Sequence, residues 1–443
     1  MRNKIFKLLT LGLCMFSFTA VAQNTDTISL DLATALKIAH DNNPTIKIAD
    51  IEIQRIDYSK KEAIGNLLPQ LSASGQYTDN IKKSVMFMPE SFSAMMGGAK
   101  YMEIGYKNSF TGTLSAALPL VNFSLWETLK NKQADIDLVL EKSRASKIDM
   151  TKQVKDAYFA CLLAKASLDV LTKSIGNAKE TLKSTENAYN NGAVSEYDYI
   201  RAQVQVNNLN PSFISAKNGL QLAILQLKML LSLPAEQGVK IAETLEDYSK
   251  EPLTYDSNRN LTTNSDLRQL DLNIQKTENS LKLIKTQHMP SLSAFGQYVY
   301  QTQAEDFKIA DYNWVGSAAI GLSLSIPIFK GNTIINQQKQ TELAIKEMRL
   351  QRDYTSDALK LQIQSAINSM EAAKEQLVAN KDAIAQAERG YDIAKVRYQT
   401  GTGTILELND SELSLTQSKL NYQQSFYNYL TAKTNLDKIL GKE

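Results

Sequence analysis

The sequence predicts an exported α+β chain, mainly α, whose long coiled-coil helices adjoin strands that complete a transmembrane β-barrel only within an oligomer. Three observations carry that expectation. A cleavable leader opens the chain, the remainder repeats itself at a nearly constant offset, and each repeat joins two alternating segments to a very long helical stripe.

The leader comes first. Arg2, Lys4 and Lys7 precede the apolar run from Leu8 to Phe16, which closes in Thr19-Ala20-Val21-Ala22 before Gln23. That order of charge, apolar core and small residues marks a secretory signal over residues 1–22. Its apolar stretch is too short to span a bilayer, which takes ~20 residues. Leu13 before Cys14 argues against a lipid anchor, and with the leader gone Cys161 stands alone, so no intrachain disulfide is expected. Cys161 sits in a helical pattern and reads as a small buried hydrophobe. The mature chain has no other apolar run long enough for a membrane helix, so any membrane passage must be as a closed barrel.

Composition narrows the function. Of 443 residues 43% are hydrophobic, which argues against global disorder. The 49 basic and 47 acidic residues leave +2, or −1 without the three leader cations, so no nucleic-acid partner is expected. His40 and His288 lie far apart without ligand spacing, no nucleophile elbow occurs, and Gly401-x-Gly403 lacks the rest of a phosphate loop. The expectation is therefore no enzyme, no cofactor and no resident metal.

The internal repeat sets the plan. Pro69-Gln70-Leu71-Ser72-Ala73-Ser74-Gly75-Gln76-Tyr77 returns as Pro290-Ser291-Leu292-Ser293-Ala294-Phe295-Gly296-Gln297-Tyr298, an offset of 221 that also carries Asn43 onto Asn264. Leu118-Pro119-Leu120 answers Ile326-Pro327-Ile328; Tyr189-Asn190-Asn191-Gly192 answers Tyr398-Gln399-Thr400-Gly401 at an offset of 209, and Leu230-Leu231-Ser232 answers Ile439-Leu440-Gly441. The smaller offset puts about a dozen extra residues into the first half's hairpin. The expected divisions are 23–233, an irregular linker at 234–263 and 264–443, each half reading helix, strand, strand, long helix, turn, helix.

Alternation defines four strands. Leu71, Ala73, Gly75 and Tyr77 alternate with Ser72, Ser74 and Gln76; Phe110, Gly112, Leu114, Ala116 and Leu118 with Thr111, Thr113 and Ser115. The repeat beginning at Ser291 supplies a third, and Trp314 to Ile326 a fourth. One apolar and one small polar face over about ten residues is what a strand between lipid and water requires. For the helices, 3–4 spacing runs through Leu359, Ile363, Ala366, Met370, Ala373, Leu377, Ile384, Ala387, Tyr391, Ala394 and Tyr398, broken only at Asn380. Val154, Tyr158, Cys161, Leu168, Ile175, Leu182 and Tyr189 repeat it. Apolar residues outside that seam give each helix a second neighbour. Helices of roughly 65 to 70 residues reach about 100 Å, beyond any compact globule. Four strands cannot close a membrane barrel, for which about eight is the minimum, so an oligomer follows.

Residues and spacings together resemble the TolC-like outer-membrane efflux proteins over essentially the whole mature chain. The matching motifs are Asn42-Asn43-Pro44 in the opening helix, Leu68-Pro69-Gln70-Leu71, the two proline segments taken as helix starts, and the paired Tyr-x-x-Gly turns. The resemblance implies a homotrimer in which four strands per chain form a twelve-stranded β-barrel in outer-membrane lipid, continuing into a long periplasmic α-barrel of twelve helices. It implies a passive exit duct for a tripartite efflux or type I secretion system, partnered by a periplasmic adaptor and an inner-membrane pump.

Within the resemblance, the two turns form the periplasmic tip where adaptor hairpins dock: Gly192, Ala193 and Val194, and Gly401, Thr402 and Gly403. Gly192 and Gly401 also suit left-handed helix C-caps. Asp198 falls on the family's gate aspartate, Glu407 and Asp410 on its inner acidic rings, and Tyr398 on a gate tyrosine with Asp198 as its candidate hydrogen-bond partner. Carboxylates repeated around an axis favour cations. A second reading stands beside this one, since Asp198 and Glu407 lie in first helical turns where acids stabilise the helix anyway. The gate arginine is Gly403 here and its threonine partner Tyr197, so that latch is missing. Met86, Met88, Met95, Met96 and Met102, around Pro89 and Gly97-Gly98, read as an extracellular loop or as soft ligands for Cu(I) or Ag(I). The alternative function is a periplasmic coiled-coil scaffold that conducts nothing, which leaves the four strands unexplained.

Overall fold

The computed structural model describes residues 27–95, 97–249, 260–308 and 311–442; the leader, Met96 and part of the linker lie outside them. The chain forms two compact units. One takes the residues up to Ala39 with Gln153–Thr254 and Ala373–Thr431; the other takes His40–Lys152, Tyr255–Ala372 and Ala432 onward.

In the first unit, β1 (Ile28–Leu30) leads into α1 (Leu32–Asn42), whose last residues, from His40 on, belong with α2 (Pro44–Gly65) to the other unit. Asn42-Asn43-Pro44 thus divides two helices instead of lying within one. Asn43 is the cap of α2, its side chain accepting from the Thr45 N–H at 2.8 Å, and Pro44 takes the first helical position, where no N–H is needed.

The second unit carries an antiparallel sheet of β2 (Gln70–Asp79), β5 (Asn108–Val121), β7 (Ser291–Ala304) and β8 (Val315–Ser325), in that spatial order. Between β2 and β5 stand β3 (Ser84–Phe87), α3 (Glu90–Met95) and β4 (Tyr101–Ile104), the hairpin insertion that the changed offset required. The register sorts the faces. On one, Leu71 lies beside Ala116, Ala73 beside Leu114 and Tyr77 beside Phe110, continuing through Leu114 beside Tyr298 to Ala294 beside Leu322. On the other, Ser72 lies beside Ser115, Ser74 beside Thr113 and Ser293 beside Ser323. The apolar face is exposed, not packed: Leu71, Leu114, Leu322 and Leu324 all face outward, and Ile320 is 92% exposed. A soluble chain buries a continuous apolar face of this kind.

Pro119 lies inside β5, at a register shift, and the next helix, α4 (Phe123–Asn190), starts after it. Pro327 follows the end of β8, and α8 (Thr333–Gln399) begins beyond it. The proline segments therefore end strands; they do not start helices. A missing N–H is tolerated at a bulge or beyond a strand end, where no ladder bond is lost.

The long helices are α4 (Phe123–Asn190) at 68 residues and α8 (Thr333–Gln399) at 67, each followed by a 35-residue helix, α5 (Glu196–Leu230) and α9 (Ile405–Ile439). No helix among the described residues is long and apolar enough to cross a membrane. α7 (Ser265–Thr286) is capped by buried Asn264, whose side chain accepts from the Leu267 N–H at 3.0 Å and donates to the Ile439 carbonyl at 2.8 Å. Beside it, buried Glu141 on α4 meets Arg144 at 2.7 Å, Arg268 at 3.4 Å and the Ser265 hydroxyl at 2.7 Å. Burial alone pushes the Glu141 carboxyl up, but these hydrogen bonds and charges outweigh it and hold the group below the usual range.

In the first unit β1 pairs in parallel with β6 (Val239–Ile241), and α6 (Leu245–Tyr248) follows. Tyr158, fully buried on α4, donates its hydroxyl to this layer, 2.7 Å from Glu243. Cys161 is buried nearby, its thiol pushed up to about 12 by desolvation. α4 packs on α5 through Ile175, Ala178 and Leu209, and α8 on α9 through Tyr391, Ile405, Leu408 and Leu415. Asn380, the break in the apolar stripe, donates to the Ser425 hydroxyl at 2.7 Å, so the polar position is answered from the facing helix.

Candidate functional site

Both helix hairpins close in the same way. At the end of α4 the Gly192 N–H bonds to the Tyr189 carbonyl at 2.8 Å and the Ala193 N–H to the Ala188 carbonyl at 2.8 Å. At the end of α8 Gly401 bonds to Tyr398 at 3.1 Å and Thr402 to Arg397 at 2.8 Å. These are two Schellman motifs, and they need a left-handed residue at the position after the cap. Gly192 at φ 70° and Gly401 at φ 73° supply it.

The next helix then starts on a capping box. Ser195 and Asp198 hold each other at the start of α5: the Asp198 N–H donates to Ser195 Oγ at 3.2 Å, and Ser195 Oγ donates to Asp198 Oδ2 at 2.7 Å. At α9 the Glu407 N–H donates to Thr404 Oγ1 at 3.2 Å and the Thr404 N–H to Glu407 Oε2 at 3.3 Å. Asp198 and Glu407 thus both do the work of helix starts within the chain. Asp410 is different: it is exposed on α9, a turn beyond the cap, and no hydrogen bond or ion pair engages it among the described residues.

Tyr398 corrects an expectation. Its hydroxyl lies 2.7 Å from Thr185 Oγ1 on α4, not against Asp198. Thr185 is 1% exposed and gives its own proton to the Thr181 carbonyl at 2.8 Å, so Tyr398 is the donor. The reason is geometric: Asp198 is occupied by Ser195, while buried Thr185 has a lone pair to fill.

Gly403, where the resemblance places the gate arginine, has a steric reason to be glycine. A Cβ there would lie 2.9 Å from Arg397 Cβ and 3.1 Å from Glu407 Oε2. Arg397 fills the space, pairing with Glu407 at 3.4 Å and donating to the Thr402 carbonyl at 3.2 Å. Tyr197 lies under Arg201, whose Nε donates to its hydroxyl at 2.8 Å.

One polar group escaped the sequence reading. Glu412 on α9 is 3% exposed and its Oε1 has no hydrogen-bond partner among the described residues. The signal was present: Ile405, Leu408, Glu412 and Leu415 are spaced 3, 4 and 3, so the carboxyl occupies a core position of the heptad. Burial pushes this carboxyl up to about 7, against the opposing effects of Asn177 and Lys395. No group of three His, Cys, Asp or Glu side chains suited to one metal ion occurs among the described residues.

A sheet with an exposed apolar face, joined to paired long helical hairpins with matched tip turns, is the architecture of an outer-membrane efflux channel. The family model for outer membrane efflux proteins matches residues 35–232 and 257–442, and the chain belongs to that family. It is 22% identical over 445 residues to the outer membrane protein TolC of Escherichia coli, covering 97% of this chain and 85% of TolC. The fold is similar to that of the Campylobacter jejuni CmeC outer membrane channel, with a TM-score of 0.72 at 18% identity over 93% of this chain and 85% of CmeC. CusC gives a TM-score of 0.75 at 17% identity over 94% and 93% of the two chains.

Proposed function

We propose that this chain is the exit duct of a tripartite efflux or type I secretion system, a homotrimer that conducts passively from a periplasmic adaptor and inner-membrane pump to the exterior. The observation that carries the reading is the sheet. Among the described residues β2 and β8 each pair on one side only, while the face between them is apolar and exposed. The strands alternate in direction from β2 to β8, so β8 of one copy fits antiparallel beside β2 of the next. Three copies then close a twelve-stranded barrel that leaves no edge and buries every apolar face in lipid.

The chain reads further as two copies of one plan, 23–233 and 264–443, joined by the linker at 234–263, with 1–22 removed on export. Matched caps at Asn43 and Asn264, and matched C-terminal motifs at Ser232 (φ 55°) and Gly441 (φ 69°), support that reading. The tips at Gly192–Val194 and Gly401–Gly403 are the surfaces offered to the adaptor. Asp410, unengaged among the described residues, is the best candidate for an acidic ring, joined by Glu407 and Asp198. The test is the detergent-purified mature protein in planar bilayers together with its native mass. Trimers with discrete conductance steps are expected; a monomer that leaves the bilayer silent would overturn the duct and favour a non-conducting scaffold.

A further inference from the structure

A cavity of about 330 Å³ opens in the first unit where α4, α8, α9 and α6 meet. Its wall is of two kinds. Val170, Ile384 and Leu415 form an apolar side, and Glu412, Ser174 and Thr416 a polar one. Those three polar side chains are all buried, and the Thr416 hydroxyl donates to Ser174 Oγ at 3.1 Å. Asn177 lies beside the Glu412 carboxyl and favours its ionised form, and Oε1 of that carboxyl is left without a hydrogen-bond partner among the described residues, in a wall of the cavity. A buried carboxylate oxygen without a donor is costly, and natural folds rarely leave one so.

The lining charges decide which ligand suits it. Lys419 is bound to Glu388 at 2.8 Å, which removes that pair from the account. Glu412 and Glu246 then face Lys173, an excess of one negative charge when Glu412 is ionised. A bare metal ion would find at most these two carboxylates, short of the three or more ligands that would hold it, and an apolar wall opposite. A protonated amine on an apolar body matches both halves.

We infer that this cavity is a binding site for a small organic ammonium ion, its N–H groups on Glu412 Oε1 and the Ser174–Thr416 hydroxyls and its body against Val170, Ile384 and Leu415. The occupant joins α4 to α9 through one salt-bridged hydrogen bond, in the helical wall and apart from the tip turns. Occupancy does not depend on conduction, so the site stands or falls separately from the proposed duct.

Affinity depends on pH through Glu412. The titratable and charged groups around it are Lys173 and Glu180 on α4, Glu246 on α6, Glu388, Tyr391 and Lys395 on α8, and Lys419 and Tyr422 on α9. Burial holds its proton until about 7, so the amine, which stays protonated throughout, competes with that proton at lower pH.

The experiment is calorimetric titration of the detergent-purified full chain with benzylammonium and, in parallel, with benzyl alcohol, near pH 8 and near pH 5.5. Benzylammonium is expected to bind at the higher pH and to weaken about tenfold or more at the lower, with the alcohol much weaker at both. Glu412→Gln keeps the shape and removes the charge, and is expected to weaken the amine about tenfold or more. Ser174→Leu, which fills the cavity and leaves Glu412 in place, is expected to abolish binding. Equal binding of amine and alcohol, an unaffected E412Q or S174L variant, or no binding by the wild-type chain would each overturn the site.

Discussion

Replacing Glu412 by glutamine in the ligand-free protein gives a stability difference whose sign and size follow from burial. The unfolded carboxyl titrates near 4.5, and burial moves it to about 7 in the folded chain. Between those values the folded state holds a proton that the unfolded state has released, so stability falls as pH rises through the window and levels off above it. At ~1.4 kcal/mol per pKa unit the loss totals about 3 kcal/mol. Glutamine carries no proton to lose. The variant is therefore expected to match wild type near pH 4 and to exceed it by about 3 kcal/mol near pH 8, less any cost of the amide's extra N–H groups. Urea titration of the detergent-purified proteins, followed by helical circular dichroism at several pH values, measures the difference; all other titrations cancel between the two. A difference independent of pH would mean that Glu412 is solvated or paired, and the reasoning from its burial would fail.

Three further outcomes are expected. Gly401→Ala, or Gly192→Ala, places a Cβ at a left-handed position and costs about 1–2 kcal/mol, seen as a lower unfolding midpoint. Glu141→Gln removes a buried carboxylate held below its usual range, whose stabilisation is present at neutral pH and lost as pH falls through its lowered folded value; the variant is destabilised at pH 7 and converges on wild type in acid, read by the same titration. Neutralising Asp198, Glu407 and Asp410 together is expected to weaken cation selectivity in single-channel recordings, and unchanged selectivity would remove them from the conduction path.

The parts of this fold that were legible in the sequence are those with long, regular periods. Leu359, Ile363, Ala366 and Met370 are buried as their spacing requires, and the alternation of Leu71, Ala73 and Tyr77 with Ser72, Ser74 and Gln76 became two faces of one sheet. Gly192 and Gly401 were legible because a left-handed cap admits few residues. The misses are short or distant. β1 and β6 have three residues each and pair across some 200 residues, too little periodicity to detect. Pro119 and Pro327 looked like helix starts because proline is at home there, and a strand end accepts it equally. Tyr398 went to Thr185 because that hydroxyl is buried, and burial is not written in spacing. Asp198 and Glu407 show the limit for the site: a carboxylate three residues past a Ser or Thr serves a capping box first, whatever else it does in an assembly.

The strand order also governs when the protein is able to finish folding. β5 and β7 are neighbours in the sheet, yet roughly 170 residues separate them in the chain. As the polypeptide emerges from the export machinery, the first hairpin arrives with the inner edge of β5 open and its apolar face wet. It stays so until the second hairpin has crossed. Each compact unit likewise draws on three stretches that reach late into the sequence, so neither closes on the early half alone. Such long-range pairing is slow and leaves strand edges open to aggregation. The nascent chain therefore depends on being shielded in transit, and a truncation after α5 would leave a sheet edge with nothing to meet.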